Sequence, residues 1–125
     1  MNITIKNTNK EMWQKIIRSF VHGGDGFEIR CWEGENEEFA KKWADEYQKE
    51  DIETVYFGKV TGAFLKAFFG ASDENGITPF FSVGFEMNGS MIYSEKYGEE
   101  LHILNIDAKD EQLIADAGAS GYEVY

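Results

Sequence analysis

The chain has 125 residues, the length of one domain, and its 42% hydrophobic and 15% aromatic content is enough to fill a core, which excludes disorder. Twenty-three acidic against twelve basic residues leave a formal charge of −11, which argues against direct binding to nucleic acid or to an anionic membrane, because either needs a positive footprint. The single cysteine, Cys31, excludes an internal disulfide, the polar start NITIK does not read as an export leader, and GAFLKAFFGA is too short for a membrane span, so a cytoplasmic protein is expected.

In chain order, Ile3 and Ile5 alternate with polar neighbours as in a half-buried strand. Met12, Trp13, Ile16, Ile17, Phe20 and Val21 then form a helical stripe, which Asn7 or Thr8 can cap and Gly23-Gly24 can close. A strand follows from about Phe27 to Glu33. Phe39, Trp43 and Tyr47 recur at i, i+4 and i+8, so the spacing predicts a second helix over Glu37 to Lys49. Ile52 to Lys59 reads as a strand. VTGAFLKAFFG reads as a short buried helix that SDENG breaks.

From Ile77 the period changes to two. Asn88-Gly89 between strand-like runs predicts a hairpin with a type I′ turn, which pairs Met87 with Ser90 and sets Tyr93 opposite the bare Gly84. Leu101 to Ile106 carries apolar residues on both parities and reads as a central strand covered on both faces. A helix from Lys109 to Ala117, capped by Asp107 or its neighbour and closed by Gly118, precedes a terminal edge strand in GYEVY. Early helical crossovers and late tight hairpins together predict a single α+β domain over 1–125, a mixed sheet with early βαβ crossovers and a C-terminal antiparallel meander.

No motif fixes a chemistry. His22 stands at a helix end, where a cation suits the dipole, and His102 alternates within a strand, where a hydrogen-bonded histidine is expected more readily than a base. Cys31 falls on the apolar parity of its strand. One cysteine and two distant histidines supply no metal-ligand spacing, and no phosphate-binding glycine pattern occurs, so neither metal nor cofactor is expected. Phe80, Tyr93 and Tyr97 could line a ligand groove on the hairpin sheet, or could pack within it.

The charge is focused. Between Glu33 and Glu53 stand nine acidic and three basic residues, a net of −6. Glu33, Glu35, Glu37 and Glu38 suit a helix start, and Glu37–Lys41 and Glu38–Lys42 are i,i+4 pairs in the favourable order. DEYQKEDIE differs, because Asp45, Glu46, Glu50, Asp51 and Glu53 would crowd the negative pole of that helix, where folding gives no reason for them. These five residues, with Tyr47 and Trp32 as aromatic anchors, form the candidate partner-binding site.

An acidic, aromatic-rich, single-domain α+β chain with a carboxylate patch and no catalytic constellation resembles the bacterial immunity proteins that neutralise toxins of contact-dependent systems. The resemblance is one of size, charge and organisation. It implies a non-enzymatic inhibitor that binds a cognate basic toxin domain, commonly a nuclease, and blocks its active site. A small enzyme or ligand-binding domain with an aromatic groove on the hairpin sheet is the alternative, and an acidic mimic of nucleic acid is a third.

Overall fold

The computed structural model describes residues 1–74 and 76–125. Its elements are β1 (Ile3–Lys6), α1 (Lys10–Phe20), β2 (Gly26–Trp32), α2 (Glu37–Trp43), β3 (Glu46–Lys49), β4 (Glu53–Lys59), α3 (Gly62–Glu74), β5 (Ser82–Met87), β6 (Ser90–Glu95), β7 (Glu100–Leu104), α4 (Ala108–Asp116) and β8 (Glu123–Val124). All eight strands join one sheet in the order β3-β4-β2-β5-β6-β7-β1-β8. The fold is α+β. Among the described residues no helix is long and apolar enough to cross a membrane.

Every neighbouring pair of strands is antiparallel, so the expected mixed sheet is corrected. Counting reversals across the sheet shows why. The strands joined by α1 (β1 and β2), by α2 (β2 and β3) and by α3 (β4 and β5) do run in the same direction, as crossovers require. Each pair is held apart by other strands: β5 to β7 fill the first gap, β4 the second and β2 the third.

The helices supply a core on one face of the sheet. Phe64 of α3 stacks on Phe27 of β2 at 4.2 Å, and Phe68 meets Phe80 at 5.2 Å and Phe85 edge-on at 5.6 Å. From α1, Trp13 packs on Phe68 and donates its indole N–H to the buried Ser94 hydroxyl at 2.9 Å, so its polar end is satisfied. Strand parity puts Ile29, Phe85, Ile92, Leu101, Ile103, Ile3 and Ile5 on this face, all buried. The other face carries Glu28, Arg30, Tyr93, Glu95 and His102.

Local expectations fare unevenly. Asn9, not Asn7 or Thr8, caps α1, accepting from the Met12 amide at 2.9 Å. Asp107 caps α4 in a reciprocal box with Asp110, and Gly118 follows with φ +96°. The α3 helix runs on through Ser72 to Glu74, so the first part of SDENG does not break it, and Asn75 lies outside the described residues. Met87 pairs with Ser90 and Gly84 with Tyr93 as expected. Only Gly89 has positive φ there, so the turn is not type I′, which requires it at Asn88 too. Strand β7 is central but packed on one face: Leu101 and Ile103 are buried, whereas His102 and Leu104 are half-buried.

Candidate functional site

The largest correction concerns DEYQKEDIE. Helix α2 stops at Trp43, Ala44 turns extended with ψ 149°, and Glu46–Lys49 pair with β4 as an edge strand. Seven residues are too few for a helix to persist without help, and β4 offers an unsatisfied backbone on its outer side. The Asp45 amide donates to the Phe57 carbonyl at 2.8 Å, and the Tyr47 ring packs across the strand pair on Tyr56 at 5.9 Å. Gly58 lets the end of α2 close against β4, since a Cβ there would stand 2.5 Å from the Phe27 ring and 3.1 Å from the Trp43 carbonyl oxygen. The carboxylates of this stretch therefore sit on a β-hairpin and not in the last turn of a helix, and only Asp45 directly follows the C-cap of α2.

Between α2 and the β3–β4 hairpin lies a groove of about 600 Å³. Glu33 and, one turn apart on α2, Glu37 and Lys41 form one wall. The hairpin forms the other with Asp45, Glu46, Tyr47 and Lys49, the turn residues Glu50, Asp51 and Ile52, and the start of β4 from Glu53 to Thr54, while Tyr56 lies beneath. Six of the seven residues singled out from the sequence, Asp45, Glu46, Tyr47, Glu50, Asp51 and Glu53, are thus brought together on one hairpin beside the groove, with the Tyr47 side chain on the groove side and those of Glu46 and Glu53 turned by strand parity to the helix-free face. The seventh is not. Trp32 projects by strand parity to the opposite face of the sheet, where it packs on Phe81 at 5.5 Å.

Seven carboxylates and two lysines line the groove. Glu53 is held at 2.8 Å by Arg30, and among the described residues no other lining carboxylate forms an ion pair. The expected Glu37–Lys41 and Glu38–Lys42 pairs do not close; Lys42 lies over the Trp43 ring at 5.3 Å instead. The negative field reaches the floor. Burial, then Glu37, raise the pKa of the Tyr56 hydroxyl, and burial with Glu37 and Glu35 pushes the Cys31 thiol up to about 12.

Apolar surface accompanies the charge. Tyr47 is 69% and Ile52 65% exposed, the two most exposed large hydrophobic side chains in the described part of the chain. Sequence reasoning missed Ile52, Glu33, Glu37 and Lys41 as parts of one groove, although an isoleucine between two carboxylates at a strand start was a legible oddity. Phe80 is buried against Phe68 and Phe39, so it lines no ligand groove. His22 contacts the Phe20 carbonyl at 3.2 Å, at the end of α1 as expected. His102 shares a hydrogen bond with Thr4 at 3.1 Å, on the helix-free face. No family model, curated protein or solved structure matches the chain.

Proposed function

We propose that this chain is an acidic protein-binding module that works as an immunity protein, holding a cognate basic toxin domain inactive in the cytoplasm through the groove between α2 and the β3–β4 hairpin. The observation that carries the reading is the combination at the groove and the hairpin that borders it: seven carboxylates, six of them without an ion-pair partner among the described residues, beside the exposed Tyr47 and Ile52. Unpaired carboxylates steer and orient a cationic partner, while a desolvated aromatic and an aliphatic anchor supply tightness. A nuclease domain is the natural class of toxin, because a surface built to bind phosphates presents the lysines and arginines this groove complements.

The test is titration calorimetry against purified basic toxin domains, beginning with the product of any adjacent reading frame. One domain is expected to bind at nanomolar affinity and to lose its activity. Reversing Asp45, Glu46, Glu50 and Asp51 to lysine should weaken that affinity by roughly 100-fold or more, as buried or half-buried charge pairs across interfaces do. Affinity that survives the reversal at every salt concentration would remove the groove from the interface.

A further inference from the structure

Strand β3 is the end of the sheet, and all four of its residues are exposed. The Glu50 amide donates to the Glu53 carbonyl at 2.8 Å, which fixes the alternation of the ladder: Glu46 and Gln48 turn their backbone groups toward β4, and Tyr47 and Lys49 turn theirs outward. The outward N–H and C=O groups of Tyr47 and Lys49 run alongside the groove. An exposed edge of this kind is a template for another strand unless something blunts it, and here neither a proline nor a covering helix does so.

We infer that the partner enters as an extended cationic segment that adds a ninth strand to β3, hydrogen-bonded to the outward backbone of Tyr47 and Lys49; this rests on the reading of the groove as a basic partner's site. Side chains of the added strand alternate. Those opposite Glu46, Gln48 and Glu50 are the cationic ones, on the helix-free face that also carries Glu53, and those between them lie on the groove side over the exposed Tyr47 ring. Charge disfavours a second copy of the chain, because each copy carries a formal charge of −11; a self-pairing that sets Tyr47 against the other copy's Lys49 also opposes Glu46 and Glu50, whereas the Tyr47-to-Tyr47 register sets Asp45 against Lys49.

A labelled ten-residue peptide of alternating arginine and valine, titrated into the full chain, tests this. Two substitutions give opposite signs. Lys49→Ala removes a positive charge and should tighten peptide binding; Lys49→Pro removes the same charge together with an outward N–H and should weaken it by about tenfold. The Tyr47 and Lys49 amides should exchange with solvent more slowly in the peptide complex, a reading that needs no variant and holds if Lys49→Pro fails to fold. Equal tightening by both substitutions with unchanged amide exchange would overturn strand addition. A simultaneous loss of binding in a Glu46→Lys, Glu50→Lys variant would then leave the acidic groove standing as the site. A peptide that does not bind at low salt contradicts both. A dimer without peptide that Lys49→Pro disperses would make a second copy the occupant and overturn the inference.

Discussion

The two edges of the sheet solve one problem in different ways. At one end β8 is only two residues long and is tied down: backbone bonds of 2.7 and 2.8 Å join Asn2 to Tyr125, and Thr4, itself bonded to His102, donates to the Tyr125 hydroxyl at 3.1 Å. At the other end β3 is four residues long, wholly exposed and flanked by carboxylates. A short edge leaves no template for any strand. A charged edge repels most strands and admits one of opposite charge. The first is a lock on the fold; on the function proposed above, the second is a selective opening.

If that contrast is right, damage to the core should cost most, damage to the β8 edge less, and damage to the β3 edge almost nothing in stability. Phe64 sits in the core between Phe27 of β2 and Phe39 and Trp43 of α2. Phe64→Ala should therefore cost about 3–5 kcal/mol, read from a urea transition, with the wall formed by α2 loosening first. Thr4→Val keeps the shape of the side chain but removes two hydrogen bonds at the β8 edge. A loss of about 1–2 kcal/mol is expected, with partner affinity unchanged.

A pH experiment probes the core near the groove. Cys31 is buried and its thiol is pushed from 9.0 up to about 12, so between these values the folded chain keeps a proton that the unfolded chain releases. Stability then falls as pH rises, by about 1.4 kcal/mol per pH unit from this group. Comparing urea midpoints of the chain and of Cys31→Ala at pH 8 and pH 10 should show that decline shrinking in the variant; an identical decline would mean that the thiol is not buried as described. The smallest effect belongs to the hairpin. Neutralising Asp45, Glu46, Glu50 and Asp51 as amides should leave the unbound chain within about 0.5 kcal/mol of its starting stability, and a larger loss would show that these charges serve the fold.

Much of the fold was legible in the sequence where the signal was local. The stripe of α1, the Asp107 cap, the Asn88-Gly89 hairpin with its Gly84–Tyr93 pairing, and the edge strand at Glu123 all stand. The order of strands was not legible, because the β5–β6–β7 meander enters between β1 and β2 through contacts no local pattern encodes. Tyr47 shows the same limit at one residue. Its spacing from Phe39 and Trp43 satisfies a helix, but the decision was made by the open backbone of β4, distant in sequence from α2's first turn.

The candidate site was legible in part for the same reason. Carboxylates that mostly lack ion-pair partners must stay at the surface, so their crowding around residues 45–53 marks a place in any fold, and six of the seven residues chosen share one hairpin beside the groove. Trp32 was drawn in by its neighbours in sequence, and strand alternation sends it to the other face. The reason first given for the site, misplaced charge at a helix end, is replaced by an acidic hairpin on an unpaired sheet edge.

The most direct test of the account is the rate at which a basic toxin domain associates with the chain as salt is raised, followed by stopped flow. For the native hairpin the rate should be high at low salt and fall steeply, by roughly 10-fold or more between low and high ionic strength, and reversal of Asp45, Glu46, Glu50 and Asp51 should flatten that dependence. A salt dependence that is the same with and without those four carboxylates would contradict the claim that this edge of the sheet receives the partner.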